Sequence, residues 1–367
     1  MLTSRWTHLW EDVGNRKLKE EKGSESINPT SPTSGITRPQ RVLLLLAHPD
    51  DEVMFFSPVL HALLSPQGNT ELWAACMTSG PPALKLTEAA EVKIEASFSL
   101  LNNSLSSDAL PLRAQELLRA YAHFPGIGLD AAALEGSARA GARAGARAGA
   151  GAVTERVLIF SDPELQDGMT EQWDPRRVRD VLLKGMEERF SQPNVNGKIM
   201  EGKWNFDWLL TFDEGGISGH ANHRALHDAA PLVADALETR SKAGAGVGAE
   251  AGIGERGKGR PQIWNLPTLP LPLKYGSLPF AIVQRAASLL FLPHLDPSSS
   301  PSKDSTEDSS SRSSGIGACL TFLSSPREYL VSLAAMRDGH TSQMLWFRYA
   351  WWGLSSYVFG GRICRVQ

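Results

Sequence analysis

The sequence predicts an α/β fold with a mostly parallel sheet, and two observations carry that prediction. Short runs of apolar residues recur without alternation, which is typical of strands that helices cover on both faces. Segments with helical spacing of apolar residues lie between these runs, and alternating strands and helices predict right-handed crossovers between parallel strands. Ligands in such sheets bind beyond the carboxyl ends of the strands, so the residues at those ends are the first candidates for a site.

The predicted elements follow in chain order after a polar start. The two clearest helical segments are "LTEAAEVKIEASFSLL" at 86–101 and "RRVRDVLLKGMEERF" at 176–190. Three of the four strand runs end at a histidine or an aspartate, namely His48, Asp162 and Asp213. The four strand runs are "RVLLLLAH" at 41–48, "ELWAACMTS" at 71–79, "ERVLIFSD" at 155–162 and "WNFDWLLTFD" at 204–213.

The chain also contains polar and low-complexity segments that interrupt the α/β pattern. The N-terminal stretch lacks helical or strand periodicity, so it is predicted to be a disordered tail. The Gly, Ala and Ser content of three later stretches predicts flexible surface inserts. The predicted divisions are a tail at 1–40, a catalytic α/β domain at 41–295 with inserts at 137–152 and 241–260, a disordered Ser-rich insert at 296–315, and the C-terminal part of the same domain at 316–367.

Composition and charge exclude some classes of protein. The 37 basic and 40 acidic side chains give a net charge of −3, which offers no broad positive field for nucleic acid. The three cysteines are odd in number and widely spaced, so we expect neither a disulfide framework nor a thiolate metal site. A reducing compartment is therefore expected. The first forty residues contain no apolar stretch that fits a signal peptide or a membrane span.

The first candidate site motif is "AHPDDEVMFF", at the end of the first predicted strand. It delivers His48, Asp50, Asp51 and Glu52 within five positions, with Pro49 stiffening the turn. Adjacent carboxylates at a strand end repel each other unless a cation or a proton offsets their charge. A divalent metal is the natural explanation for this arrangement.

The second candidate motif is "LLTFDEGGISGHANHRALHDA", which follows the fourth predicted strand. It contains His220, His223 and His227 near the start of a predicted helix. Imidazole and carboxylate are ordinary zinc ligands, and a catalytic zinc site needs three protein ligands and one open position. The spacing allows His220 with His223, or His223 with His227, as the pair of metal-binding histidines. Spacing alone leaves the choice between these pairs open. An isolated HxxH is as often an accident of a surface helix, but the HPDD motif makes that reading much weaker.

Several other polar residues have simpler interpretations. His61 and His123 lack acidic companions and are expected to be structural or exposed. Asp213 and Glu214 precede a glycine turn, where they cap the turn or orient a metal-bound histidine. Capping or turn formation is the expected role of Asp162 and Asp167, which follow the third predicted strand.

Taken together, "AHPDDE" and the later "GHANH" resemble the LmbE-like zinc deacetylases. The resemblance is closer to their eukaryotic branch, the N-acetylglucosaminyl-phosphatidylinositol de-N-acetylases, which tend to carry Asn at the position of Asn222. It covers most of 41–355 apart from the inserts, including "QDGMTEQWDPRRV" and "AMRDGHTSQMLWFRYAWWGLSSY". The resemblance implies a three-layer sandwich with a mostly parallel Rossmann-like sheet, the LmbE-like deacetylase fold.

The resemblance also implies a role for each motif residue. His48, Asp51 and His223 would be the ligands of a Zn²⁺ ion, although His and Asp ligands admit other divalent cations. Asp50 would be the general base that takes a proton from the attacking water. His220 would stabilise the oxyanion and assist departure of the amine. The residues that contact the substrate are not identified by the motifs.

The implied activity is metal-dependent removal of acetate from N-acetylglucosaminyl-phosphatidylinositol in glycosylphosphatidylinositol-anchor synthesis. The implied location is the cytosolic face of the endoplasmic reticulum membrane, and the glycolipid and that membrane surface would be the partners, with no nucleic acid. Two alternatives remain. One is a soluble LmbE-like deacetylase of another N-acetyl amino-sugar conjugate, and the other is a catalytically silent scaffold in a glycolipid complex.

The chain near its C-terminus has an unusual aromatic content. "MLWFRYAWWGLSSYVFGGRICRV" contains three tryptophans and flanking arginines, and the part from Met344 to Phe359 is too short to span a bilayer. Such a composition is typical of a segment at the lipid headgroup boundary. A buried aromatic helix explains it equally well. The Pro-broken apolar region at 263–295 is ambiguous in the same way.

Overall fold

The computed structural model describes residues 39–65, 68–80, 99–100, 110–124, 156–192, 204–244, 259–291 and 318–366. Nearly all of the expected tail at 1–40 lies outside this part of the chain, as do the expected inserts at 137–152 and 296–315 and most of the insert at 241–260. The remaining residues form one eight-stranded sheet with helices on both faces.

Five parallel strands form the centre of the sheet. The sheet order is β3-β4-β2-β1-β5-β6-β8-β7, in which β3 and β8 run antiparallel to their neighbours. The α/β class with a mostly parallel sheet is therefore confirmed. The strands are β1 Gln40–Leu46, β2 Thr70–Cys76, β3 Ser99–Leu100, β4 Val157–Ser161, β5 Trp208–Phe212, β6 Gln262–Leu266, β7 Cys319–Leu323 and β8 Gly360–Arg365.

The central strands are buried because helices cover both of their faces. Every residue of β1 from Val42 to Leu46 is buried, and so is all of β5. An unbroken apolar run suits this environment, in which neither face of a strand meets water. The four strand runs predicted from the sequence correspond to β1, β2, β4 and β5.

Two layers of helices complete the sandwich. Helices α4 and α6 pack on each other and against the central strands, while α2, α8 and α9 pack near β7 and β8. The helices are α1 Asp51–Met54, α2 Ser57–Leu63, α3 Leu112–Tyr121, α4 Pro175–Ser191, α5 Gly216–Gly219, α6 Ala221–Gly244, α7 Leu271–Lys274, α8 Ser277–Phe291, α9 Pro326–Ala334, α10 Trp346–Leu354 and α11 Ser356–Phe359. A π-helical turn at Ala335–Gly339 and a 3₁₀ turn at Thr341–Gln343 follow α9.

The order of the parallel strands creates a crevice between β1 and β5. From β1 the chain proceeds through β2 to β4 on one side, and then returns to add β5 and β6 on the other. Loops leaving the carboxyl ends of β1 and β5 therefore diverge in opposite directions. An open α/β sheet binds ligands at such a reversal point.

The helical prediction for 86–101 was wrong at its end, because pairing with β4 overrides the local spacing. Ser99 and Leu100 pair with β4 as a strand, although helical spacing extends over 86–101; the rest of that segment lies outside the described residues. The region at 263–295, which the sequence left ambiguous, includes most of β6, a strand that pairs with β5.

The expectation of no disulfide was also wrong. Cys319 and Cys364 form a disulfide across the antiparallel pair of β7 and β8. Their sequence separation of 45 gives no hint of this contact, because only strand pairing brings them opposite each other. Cys76 is a buried free thiol.

Within the described residues, we find no helix that combines the length and the apolar character needed to cross a bilayer.

Candidate metal centre

The two sequence motifs meet at the crevice between β1 and β5. His48 follows the end of β1, and His223 lies in the first turn of α6, which comes after β5. These two strands are direct neighbours, with Leu44 of β1 opposite Leu210 of β5. Parallel pairing places both carboxyl ends at one edge of the sheet, so residues 175 positions apart become neighbours.

Three of the predicted site residues form a buried group with metal-ligand chemistry. His48, Asp51 and His223 each offer one ligand atom, and these atoms all lie within 4.8 Å of one another. His223 Nε2 is 3.3 Å from Asp51 Oδ1 and 3.3 Å from His48 Nδ1. Two neutral imidazoles and a carboxylate satisfy the three protein ligands of a catalytic zinc site.

Hydrogen bonds fix the orientation of the ligand atoms. His223 Nδ1 lies 2.9 Å from the carbonyl oxygen of Gly216, so Nδ1 donates the hydrogen bond and the lone pair remains on Nε2. Asp51 Oδ2 accepts from the backbone N–H groups of Ala47 and His48, at 3.1 and 2.8 Å. The ring of His223 stacks on Phe212 with a centroid separation of 4.0 Å. The chain thus holds the group in place through the backbone as well as the side chains.

The turn that presents Gly216 is held by Asp213 and Thr268. Asp213 Oδ1 accepts hydrogen bonds from the N–H groups of Gly215 and Gly216, both at 3.1 Å. Thr268, in the loop after β6, donates its N–H to Asp213 Oδ2 at 2.6 Å. Asp213 therefore caps the turn and acts on His223 through the Gly216 carbonyl, which unites the two roles considered for it. Glu214 is exposed.

The backbone between Gly216 and His220 is strained. The φ angles of Gly216, Ile217, Ser218 and Gly219 are all positive, at 58°, 44°, 76° and 73°. Left-handed backbone is especially unfavourable for a β-branched residue such as Ile217. Strain of this kind persists at functional sites where surrounding contacts over-determine the conformation.

Asp50 is held in its own unusual conformation beside the metal-ligand group. Its φ angle is 125°, and its backbone N–H donates to Glu52 Oε2 at 3.1 Å. Glu52 in turn lies 2.5 Å from Nε2 of His340, and both of these side chains are fully buried. His340, distant in sequence, thereby supports the turn that positions Asp50.

Two arginines face the Asp50 carboxylate. Arg113 Nη2 and Arg348 Nη1 lie 3.3 and 3.4 Å from Asp50 Oδ2. Burial is the largest influence on this carboxyl and raises its pKa, with Asp51 adding to the effect, while Arg113 opposes it. A raised pKa suits a carboxylate that must accept a proton during a reaction at neutral pH.

Asp167 belongs to the site, although turn formation was its expected role. Its Oδ1 lies 3.2 Å from His48 Nε2, and its Oδ2 is 2.9 Å from Arg113 Nη1. Asn222 Oδ1 lies 3.0 Å from the same His48 nitrogen. A carboxylate that binds the second nitrogen of a metal-ligand histidine fixes its ring and raises its basicity. The only sequence signal for Asp167 is the "QDGMTEQW" stretch of the family resemblance.

The charges around His48 change its protonation. Burial lowers the pKa of His48, but hydrogen bonds to Asp167 and Asp51 and the charges of both carboxylates outweigh it and raise the pKa to about 10. The protonated imidazole thus balances these carboxylates when no cation is bound. A cation and this proton compete for the same group.

His220 has the opposite character. Burial, together with His48 and His223, lowers its pKa to about 4, so this imidazole is neutral near pH 7. Its Nδ1 accepts the backbone N–H of Asn222 at 3.3 Å. The proton of the neutral ring is therefore on Nε2, which makes His220 a hydrogen-bond donor at the mouth of the site.

The remaining candidates lie away from the metal-ligand group. His227 contacts the Asn265 side chain at 3.0 Å, so the structure pairs His223 with His220 rather than with His227. Asp162 forms a two-pronged ion pair with Arg177 and accepts the N–H of Glu164, which is a turn-forming role. His61 is buried against Ser332, and His123 is exposed.

A second group of possible ligands shares His48 with the first. His48, Asp167 and His220 also bring ligand atoms within 4.8 Å of one another. The first group fits a cation better, because all three of its members are buried, whereas Asp167 and His220 are only half-buried. In the second group Asp167 is already paired with Arg113, and Nδ1 of His220 already accepts a hydrogen bond. The donor set at His48, Asp51 and His223 fits a divalent metal.

Comparison with known proteins identifies relatives over most of the chain. A protein-family model described as GlcNAc-PI de-N-acetylase matches residues 43–234. An N-acetylglucosaminyl-phosphatidylinositol de-N-acetylase of Arthroderma benhamiae is 29% identical over 351 residues, which cover 91% of each chain. One of Saccharomyces cerevisiae is 26% identical over 328 residues, covering 86% of this chain and 78% of that protein.

Solved structures of distant proteins also align with this chain. A deacetylase of the teicoplanin biosynthetic pathway aligns with 89% of this chain and 99% of its own, at 14% identity and a TM-score of 0.39. The A40926 pseudoaglycone deacetylase aligns with 90% of this chain and 97% of its own, at 12% identity and a TM-score of 0.38.

Proposed function

Because this chain belongs to the GlcNAc-PI de-N-acetylase family, we propose that it hydrolyses the N-acetyl group of N-acetylglucosaminyl-phosphatidylinositol. The products are glucosaminyl-phosphatidylinositol and acetate, as needed for glycosylphosphatidylinositol-anchor synthesis. The observation that carries this proposal is the convergence of His48, Asp51 and His223 within the part of the chain that the family model matches. The names of the fungal relatives supply the substrate.

The proposed cofactor is Zn²⁺ held by His48, Asp51 and His223. A bound divalent cation polarises a carbonyl oxygen and lowers the pKa of a water molecule. Two imidazoles and a carboxylate form a ligand set that zinc commonly takes. Asp167 contacts Nε2 of His48, and the Gly216 carbonyl contacts Nδ1 of His223, so each ring is held through the nitrogen that is not the proposed ligand atom.

Asp50 is the proposed general base. Its carboxylate takes a proton from the attacking water as the water oxygen forms a bond to the acetyl carbon. The tetrahedral intermediate then collapses, the C–N bond breaks, and the proton held by Asp50 passes to the departing nitrogen. Arg113 and Arg348 fix the orientation of the carboxylate, and the Glu52 contact to its backbone maintains the turn.

His220 is the proposed stabiliser of the oxyanion. Its neutral ring presents Nε2–H, and such a donor stabilises the negative charge that develops on the acetyl oxygen. Because the imidazole is already neutral at pH 7, it contributes a hydrogen bond rather than a transferable proton. Delivery of a proton to the amine is then assigned to Asp50.

Acetate release from purified protein tests the proposal. We expect release from N-acetylglucosaminyl-phosphatidylinositol, a much slower reaction with free N-acetylglucosamine, and loss of both on treatment with a chelator. Preference for a water-soluble N-acetyl amino-sugar conjugate would favour the alternative soluble deacetylase. No release from any substrate by fully metal-loaded protein would favour a silent scaffold.

We extend the proposal to location at the endoplasmic reticulum membrane, with the site on the cytosolic face. The family resemblance supports this location, whereas the Cys319–Cys364 disulfide bears against the cytosolic side, because disulfides persist mainly in oxidising compartments. Thiol alkylation in intact cells, followed by mass spectrometry of both cysteines, tests it. Alkylation of both thiols would support the cytosolic face. Recovery of the two cysteines as a disulfide would indicate that the site faces the lumen instead.

A further inference from the structure

Several large apolar side chains are exposed around helices α7 and α8. Leu271 and Val283 are 70% and 63% exposed. Isolated exposed apolar residues are common in proteins, but a contiguous apolar surface marks an interaction site. The other exposed apolar side chains of this region are Leu273, Tyr275, Leu278 and Ile282.

Helix α10 and the residue before it add a second row of exposed apolar side chains, most of them aromatic. Trp346 is 83% exposed, while Trp352, on the opposite side of the same helix, is buried. Among the described residues, the helix packs against the core on one face and exposes apolar side chains on the other, so a buried aromatic helix accounts for only part of the segment. The other exposed members of this row are Leu345, Phe347, Tyr349 and Leu354.

The two rows belong to one surface, here called the apolar rim. Ser277 Oγ, at the start of α8, donates to the carbonyl oxygen of Gly353 in α10 at 3.0 Å. Ser356 Oγ, at the start of α11, donates to the carbonyl oxygen of Leu273 in α7 at 2.6 Å. These bonds hold α8 against α10, and α7 against α11, which follows directly after α10.

The apolar rim borders the metal centre on two sides. Arg348 lies in α10 among the exposed aromatics, and its guanidinium reaches Asp50 Oδ2. Lys274, the last residue of α7, hydrogen-bonds to Ser218 Oγ in the strained turn before His220. A molecule bound to the rim would therefore be separated from Asp50, or from the turn before His220, by a single side chain.

The charge of the rim is complementary to an anionic surface. Residues 262–295 and 339–360 contain Lys274, Arg285 and Arg348 but no aspartate or glutamate, although the whole chain is acidic. Lys274 is buried beside Ser218 and Arg348 pairs with Asp50, so both cations lie where the rim meets the metal centre. Exposed Trp, Tyr and Leu on a surface whose segments carry basic but no acidic side chains are typical of a surface that rests at the lipid headgroup boundary.

We infer that the apolar rim docks the protein on an anionic lipid surface and points the metal centre at the headgroup layer. The inference rests on the proposed function, since a substrate anchored by acyl chains presents its sugar only at that layer. The exposed Leu, Ile, Trp and Phe side chains enter the headgroup boundary.

The direct test is flotation of the purified full chain with vesicles that contain no substrate. Phosphatidylcholine vesicles with and without phosphatidylinositol serve as the two arms, and the variants are Trp346→Asp and Val283→Asp. We expect the wild-type chain to bind the phosphatidylinositol vesicles more strongly, and each variant to bind them at least about tenfold more weakly, because a charge now faces the headgroup boundary. Thr239→Asp, an exposed position near the far end of α6, adds the same charge and should leave binding unchanged.

Two activity measurements separate this inference from the proposed function. The rim variants should retain acetate release from a water-soluble, deacylated form of the substrate and lose it from substrate in vesicles. Equal vesicle binding by wild type and both variants would overturn the docking surface while leaving the proposed function intact. A dimer in analytical ultracentrifugation that Trp346→Asp abolishes, with no vesicle binding by wild type, would overturn it in favour of a second copy of this chain.

Discussion

At the scale of single residues, the site depends on side chains whose partners are far away in sequence. Asp167 and Gly216 hold the two histidine rings, and His340 supports the turn at Asp50 through Glu52. These partners fix which nitrogen of each ring is free and where each carboxylate points. The roles proposed for Asp50 and for the three proposed ligands can therefore be tested by single substitutions.

Replacing Asp50 with Asn should separate catalysis from metal binding. The amide keeps the size of the carboxylate but cannot accept the proton, so kcat/KM for acetate release should fall by a factor of about 100 or more. Metal content, measured by elemental analysis, should stay at the wild-type value. Asp228→Asn, at an exposed position of α6, is the matched control and should retain activity. Undiminished turnover in Asp50→Asn would assign the base to another group.

Replacing His223 with Ala should remove the metal. The substitution deletes a buried ligand atom that lies 3.3 Å from Asp51 and from His48. We expect metal content after dialysis to fall from about one ion per chain to near zero, as for loss of one of three ligands. His227→Ala, one helical turn later, should keep its metal, because His227 contacts Asn265 instead. Full occupancy in His223→Ala would contradict its assignment as a ligand.

Metal binding should release a proton near neutral pH. The pKa of His48 is about 10 without a cation, so the imidazole is protonated at pH 7.5 and must lose that proton to bind a metal. Calorimetric titration in two buffers of different ionisation enthalpy should give about one proton per ion, and the apparent affinity should rise about tenfold per pH unit between about pH 7 and 9. Affinity that does not change with pH would show that His48 is not protonated in the metal-free protein.

The same pKa shift has a stability consequence for the metal-free protein. Because the pKa of His48 is raised from 6.5 to about 10 in the folded state, its contribution to stability is fully present below about pH 6.5. That contribution is lost as pH rises toward about 10. His48 therefore contributes less to the stability of the metal-free fold in mildly alkaline solution than in neutral solution.

At the scale of elements, the site is an outcome of how strands and helices pack. The crevice exists because β1 and β5 are neighbours, and the turn after β5 is held by Thr268 from the loop after β6. Close packing of α4 on β4 supports the same sheet. Gly185 in α4 lies against the ring of Phe160 in β4, where a Cβ atom would overlap the ring.

Replacing Gly185 with Ala should destabilise the fold despite the higher helix propensity of alanine. Alanine gains up to about 1 kcal/mol from propensity, but overpacking against a buried ring costs about 1–3 kcal/mol or more. Urea unfolding should therefore show a lower midpoint. Gly353→Ala in α10 is the control, because a Cβ atom added there would meet no atom within 4 Å, and it should be neutral or slightly stabilising. Equal effects of the two substitutions would contradict the packing argument.

At the scale of the whole molecule, the C-terminal part completes the sheet and reaches back to the site. β8 pairs with β6 and β7, and the segment before it supplies His340 and Arg348 to the turn at Asp50. The Cys319–Cys364 disulfide lies at the end of β7 and β8 that is farthest from the metal centre, because Leu323 and Gly360 pair at the near end. Stability and metal binding should therefore respond separately to its loss.

Replacing both Cys319 and Cys364 with Ser should lower the stability of the oxidised protein without affecting the metal. Removing a cross-link across a separation of 45 residues lowers the free energy of unfolding by about 2–4 kcal/mol. Chemical denaturation measures this loss, and elemental analysis should show unchanged metal content. A change in metal content would show that the two ends of the sheet are coupled.

Much of the architecture was determined by the sequence alone. Unbroken apolar runs specify β1, β2, β4 and β5, because a strand buried on both faces consists mostly of apolar residues. The HPDD and HxxH motifs indicated a metal site, because residues one or a few positions apart stay close in any fold, and the family resemblance implied His48, Asp51 and His223 as its ligands.

Only the tertiary structure decided which distant residues join them. Asp167, Arg113 and His340 reach the site through strand order and helix packing, which leave no local pattern. The choice between His220 and His227 depended on where α6 begins, and the Cys319–Cys364 pairing depended on the register of β7 and β8. The local pattern of apolar residues indicates which residues are buried. Which strands pair with each other, and in which register, is fixed only when the whole chain has folded.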